Sequence, residues 1–244
     1  MADYLQTSPR LLMAAGQWKD IKLALDSDTS NQVFFVDMEF GQLGTGEEFV
    51  RHLFEVSIYN AKGECLIDTT VDYGITILEL AGWCPSRRWT NCIQGIYGND
   101  FERRTPGLRV EDLADKFAHV GINTNSTFVE WSTNGCDATT IIKSMSDVGR
   151  GELLPPRGNW VSGIPMWRGI MPGARTLALQ PLHAMLFAET TLLDHHHAAV
   201  DTRKLWEVMK EGYCPWGHTV FLLQLRDVHG LPISQGCRCH PHRL

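Results

Sequence analysis

A short run, Gln32-Val33-Phe34-Phe35-Val36-Asp37, is almost continuously apolar and carries two acids, Asp37 and Glu39, at its far end. Four consecutive β-branched and aromatic residues leave no polar face, which predicts a central strand buried on both sides. Side chains alternate along a strand, so Asp37 and Glu39 project the same way. At ~4 Å and an effective dielectric of ~20, two such carboxylates repel by about 4 kcal/mol. Water, basic partners or a cation must compensate. Oxygen-only ligands suit Mg²⁺ or Mn²⁺, although an Asp-x-Glu at a strand end, taken alone, is more often simply solvated.

The neighbouring segments fit a sheet around this strand. Phe54-Glu55-Val56-Ser57-Ile58-Tyr59 alternates, Asn60-Ala61-Lys62-Gly63 is a turn, and Glu64 to Val71 returns as a third strand. Residues 74–108 read as irregular. Helical spacing follows at Val110–Phe117, a strand at Ser126–Trp131 and a helix at Ala138–Met145. The Gly/Pro/Trp-rich stretch from Leu153 to Pro172 reads as a surface excursion, after which helical patterns cover Leu177–Phe187 and Asp201–Lys210. Strands first, then alternating helix and strand, predict an α/β fold with a mixed sheet flanked by helices. Residues 1–30 form an N-terminal extension with a helix over roughly Arg10–Leu25, residues 31–212 the main domain, and residues 213–244 a tail with one strand-like run, Thr219–Leu225.

Length and charge bound what this domain does. The 244 residues suit one α/β domain with extensions, and no repeat of solenoid period is present. A net charge of −6 argues against a broad basic surface for nucleic acid, yet allows a metal-filled cleft that grips a chain end. The opening Met1-Ala2-Asp3-Tyr4 lacks a signal-peptide layout, and no apolar stretch nears the ~18 residues of a membrane span. Seven scattered cysteines do not form a disulfide framework. The expectation is a cytoplasmic or nuclear protein without a membrane partner.

Two further acids stand at helix starts. Asp137 lies between the strand ending at Trp131 and the helix beginning at Ala138, where it could be a helix N-cap, a metal ligand or both. Asp201 shares a helical stripe with Leu205, Val208 and Met209, so it sits on the inward face. A buried carboxylate there needs a cation or strong hydrogen bonds, unless it is simply an acid favoured by the helix dipole. His195, His196 and His197 precede it, and histidine is the side chain suited to accept a proton near neutral pH.

Taken in order, Asp37-x-Glu39, Asp137 and His196-x₄-Asp201 resemble the signature of the DEDDh 3′→5′ exonucleases. His196-His197-Ala198-Ala199-Val200-Asp201 is similar to that family's His-x-Ala-x-x-Asp motif. Choosing His197 instead would leave the three-residue gap at which a sister subclass carries tyrosine. Thr105-Pro106-Gly107-Leu108-Arg109-Val110-Glu111-Asp112-Leu113 is similar to the segment ahead of the family's second motif. The likeness spans residues 31–212. It implies a ribonuclease-H-like mixed sheet with helices on both faces and two-metal phosphodiester hydrolysis. Asp37, Glu39, Asp137 and Asp201 would hold two Mg²⁺ or Mn²⁺ ions, with His196 as general base. The partner would be RNA or DNA with a free 3′ end, RNA being favoured, and the products nucleoside 5′-monophosphates. Met38 and Phe40 are candidate substrate contacts, Phe40 being also a candidate core residue. Phe40-Gly41 departs from the family's usual Thr and small residue. Trp131 to Asp137 is closer to the branch that trims structured or small RNAs.

Other features compete. Cys214, His218, Cys237, Cys239, His240 and His242 in the tail could bind zinc, although Cys-x-Cys-His is not the usual ligand spacing. Trp160, Trp167, Arg157 and Arg168 could clamp a single strand, or pack a loop on the sheet. The rival functions are an inactive nucleic-acid or protein-binding module of the same fold, a DNA repair nuclease, and an unrelated metallohydrolase built on His195–His197, Cys239 and His240.

Overall fold

The apolar run after Gln32 becomes the middle of a five-stranded mixed sheet. The computed structural model describes residues 18, 20–26, 32–44, 50–133, 135–171, 174, 177–187 and 197–212. Strand β1 (Val33–Leu43) pairs antiparallel with β2 (Val50–Asn60), and β2 with β3 (Cys65–Thr70). On its other side β1 runs parallel to β4 (Thr127–Glu130), which pairs in parallel with β5 (Trp160–Ser162). The order is β3-β2-β1-β4-β5. The β2–β3 turn is held by Asn60, whose Oδ1 accepts the N–H groups of Lys62 and Glu64, each at 3.0 Å; a local side-chain turn of this kind sets the register of the hairpin.

Helices cover both faces. Alternation sends Phe34, Val36 and Met38 to one side, where α4 (Val110–His119) and α5 (Cys136–Asp147) supply Leu113, Phe117, Ile141 and Met145. Val33 and Phe35 point the other way, against α1 (residues 20–26), α7 (Leu179–Phe187) and α8 (Ala198–Gly212). Phe35, Phe117 and Phe128 have no exposed surface, and full burial of one such ring contributes about 1.5–3 kcal/mol.

Two stretches differ from the sequence expectation. Residues 74–108 are not irregular: α2 (Ile77–Gly82) and α3 (Arg87–Tyr97) pack Ile77, Leu80, Ile93 and Tyr97 on Leu43 and Phe54. Each buries only two residues, so neither leaves a long apolar stripe to read. The Tyr97 hydroxyl lies 2.8 Å from Val71 O and 3.1 Å from Phe54 O, tying α3 to the sheet. Leu153–Pro172 is likewise no surface excursion. It carries a single 3₁₀ turn (Arg157–Asn159), β5 and α6 (Ile164–Ile170), with Trp160 and Trp167 buried. A three-residue strand is too short to show a period, and tertiary packing alone makes it a strand.

Candidate metal centre

The parallel contact of β1 with β4 ends at Phe35 and Val129. There the chain topology reverses, with β2 following β1 on one side and β4 lying on the other. Ligands of open α/β sheets bind at such a point, beyond the carboxyl ends of the parallel strands. Asp37 and Glu39 project from β1 just past it. The β1–β2 register slips between Glu39 and Phe40, and an irregularity of this kind re-aims the side chains beside it.

Two helices deliver the other acids. Asp137 is the second residue of α5, and it is not the N-cap: that position is Gly135, in the left-handed region at φ 63°. The Ser132 hydroxyl accepts the Gly135 N–H at 2.9 Å. Asp137 is therefore a first-turn acid freed from capping, and it is buried. Asp201 is the fourth residue of α8, on the face that covers β1 and β2, and its Oδ1 lies 3.4 Å from Gln180 Nε2.

These positions converge. One carboxylate oxygen each from Asp37, Glu39 and Asp201 lies within 4.8 Å of the others. Asp137 is not one of this trio, although its charge acts on Asp37. Burial, then Asp137, Glu39, Asp201 and Glu55, hold the Asp37 carboxyl well above the usual range. Burial first, then Asp201, Glu55 and Asp137, push Glu39 up to about 8. Burial and Glu130 raise Asp137 to about 7, against the pull of Arg157 and Arg51. Carboxyls in this state either keep their protons or gather cations. The residues fit divalent ions on chemistry alone: only oxygens, several charges and side chains partly or fully withdrawn from water.

Two glutamates outside the expected set support the two helices. Glu55, the Cα partner of Glu39 across the ladder, is buried, and its Oε2 accepts the Ala198 N–H at 3.0 Å. Glu130, at the end of β4, pairs through Oε1 with Arg157 Nη1 at 3.3 Å. The Ala138 N–H on α5 also favours its charged form, while burial opposes it. Its other oxygen makes no hydrogen bond of ordinary geometry among the described residues. Sequence reading passed over Glu55 because an alternating strand reads as solvated on its polar face. The signal was there in Glu55 and Ser57 sharing that face with Tyr59, beneath a helix whose inward stripe contains an acid.

His195 and His196 lie outside the described residues, as do the tail residues Cys214, His218, Cys237, Cys239, His240 and His242, the strand-like run 219–225 and the first part of the N-terminal helix. His197 is described, with Nδ1 3.5 Å from Glu55 Oε1. Met38 is 4% exposed in the core, on the face opposite Asp37. Phe40 is half-buried beneath the Arg51 guanidinium, 5.6 Å from its ring centre. Trp160 and Trp167 pack in the two main cores.

No protein-family model matches the sequence, and no curated protein does. Solved structures do match. The Mg²⁺- and Mn²⁺-bound Pop2p of S. pombe superposes with a TM-score of 0.51 at 13% identity, over 81% of this chain and 89% of that one. A 3′-exonuclease that recognises the 3′ end of the histone mRNA stem-loop superposes with 0.51 at 13%, over 83% and 72%. The Saccharomyces cerevisiae Pan2 pseudoubiquitin hydrolase–RNA exonuclease module gives 0.49 at 15%; this chain is 85% covered but spans about a third of that one, 34%. The two superpositions at 0.51 show that the chain has a ribonuclease-H-like fold, one that these exonucleases share. Within that fold class the sheet is mixed and helices lie on both faces.

Proposed function

We propose that residues 31–212 form a metal-dependent 3′→5′ exonuclease acting on single-stranded RNA or DNA, RNA favoured, and releasing nucleoside 5′-monophosphates. The observation that carries this reading is the convergence of Asp37, Glu39 and Asp201 within 4.8 Å, with Asp137 buried outside that trio but acting on Asp37 through its charge. In this reading the four carboxylates hold two Mg²⁺ or Mn²⁺ ions. The chemistry those ions supply when bound is polarisation of the scissile phosphate and acidification of the attacking water.

The chain's own residues do the rest. Asp37, Glu39 and Asp137, whose pKa values burial and their acidic neighbours raise, must be ionised to bind, so they release protons as the site fills. His196, proposed as general base from its place five residues before Asp201, takes the proton of the attacking water. Phe40, half-buried under Arg51, offers a face for a terminal base. Arg157 and Arg51 already act on Asp137 through their charge and would attract the phosphate backbone.

The test is degradation of 5′-labelled RNA and DNA oligonucleotides of one sequence, with Mg²⁺ or with EDTA. The expected result is a ladder shortened from the 3′ end, faster on RNA and abolished by EDTA. Intact substrate in Mg²⁺ and Mn²⁺ alike would leave the chain as a binding module of the same fold.

A further inference from the structure

We infer that Glu55 is a positioning residue of the cation site: it fastens the first turn of α8 to β2 and so sets where Asp201 meets Asp37 and Glu39. This rests on the reading above only in that the site holds divalent cations. Glu55 is 7% exposed, on the sheet face that α8 covers, and directly opposite Glu39. A fifth acid in so crowded a site needs a specific reason to be there.

The contacts supply one. The first N–H groups of a helix have no intrahelical partner. The residue before α8 is His197, not one of the Ser, Thr, Asp or Asn side chains that usually cap. A remote side chain takes over: Glu55 Oε2 accepts the Ala198 N–H at 3.0 Å, and Oε1 lies 3.5 Å from His197 Nδ1. The positive end of the helix dipole adds to the attraction. Held this way are the residues that locate Asp201, whose N–H donates to His197 O at 3.0 Å. Thr202 makes a second tie, its hydroxyl 3.3 Å from Ser57 O and 2.6 Å from Ala198 O. Glu39 and Glu55 thus divide the work, one facing the cluster and the other anchoring the helix that completes it.

The experiment is Mn²⁺ binding by calorimetry to the full chain and to Glu55→Ala and Glu55→Gln, with melting midpoints measured alongside. Loss of an outer-shell support typically weakens metal affinity 10–100-fold, so Glu55→Ala is expected to bind at least about tenfold more weakly while still folded. Gln can still accept the Ala198 N–H, so Glu55→Gln recovers most of the affinity, a rescue that a role through charge alone would not give. Should Glu55→Ala not fold, Glu55→Asp, which keeps the charge but shortens the reach by a methylene, takes its place with the same expected loss. Unchanged Mn²⁺ affinity in the folded variant overturns the inference and leaves the nuclease reading standing. No Mn²⁺ uptake by the unaltered chain overturns both.

Discussion

Glu39 and Glu55 are Cα partners across the β1–β2 ladder, yet their carboxylates serve different neighbours. That of Glu39 converges with Asp37 and Asp201, while that of Glu55 accepts the Ala198 N–H. Of these adjacent acids on one sheet face, one is compensated by a helix terminus, and the proposed cations would compensate the others.

Asp37→Asn is expected to separate stability from activity. Loss of outer-shell groups alone costs about 10–100-fold, so removing this carboxylate should lower cleavage by more than about a hundredfold. It also removes a carboxyl that folding must either bury charged among four other acids or protonate, so the metal-free melting midpoint at neutral pH should rise. A rise of about 2–4 °C corresponds to roughly 1 kcal/mol in a chain of this size. Melting in EDTA alongside the oligonucleotide assay reads both, and a fall in the metal-free midpoint contradicts the repulsion.

The metal-free protein should lose stability as pH rises. Glu39 moves from its ordinary 4.5 to about 8 on folding, and Asp137 from 3.8 to about 7. Between those values the folded state binds more protons than the unfolded one, so stability falls with increasing pH. The contribution is fully present below about pH 4 and gone above about pH 8. Mn²⁺ favours the ionised forms and should remove the decline. Thermal melts from pH 5 to 8.5, in EDTA and in Mn²⁺, check it; parallel curves in the two buffers would contradict it.

Arg157→Ala should destabilise most at alkaline pH. Its guanidinium faces Glu130, a side chain only 2% exposed, while Arg157 itself is half exposed. Leaving a buried carboxylate unpaired is costly, but exposure of the partner weakens the pair, so about 1–2 kcal/mol is expected. Burial already raises the Glu130 pKa, so at pH 5 the variant can protonate Glu130 and the loss shrinks. Urea melts at pH 5 and pH 8 measure the difference, which should be positive at the higher pH.

Gly135→Ala should be worse than a left-handed glycine substitution elsewhere. At φ 63° an L-residue costs roughly 1–2 kcal/mol. A Cβ at Gly135 would in addition run into the Arg157 guanidinium, whereas one at Gly149, at φ 71°, meets nothing within 4 Å. Gly149→Ala therefore isolates the backbone cost. The excess in Gly135→Ala, read by denaturant midpoint, measures the close approach that keeps Arg157 beside Glu130.

Much of this molecule was legible in residue order. The run Val33–Val36 had no polar face and could only be a doubly buried strand, and Asp37 and Glu39 had to share a side of it. The stripe of Asp201, Leu205, Val208 and Met209 forced an acid inward, and α8 does bury it. Short elements escaped: α2, β5 and α6 bury too few residues to print a period, so Leu153–Pro172 looked like an excursion although Trp160 and Trp167 lie in the core.

Sequence by itself determined which faces each strand and helix must bury, because alternation and helical pitch are properties of the local backbone. Tertiary structure alone decided that α8 would lie across β2. That contact turned the polar side of an ordinary alternating strand into a covered one, and made Glu55 the anchor of a helix 143 residues further along the chain. Such partnerships depend on where elements pack, and no local pattern of residues encodes them.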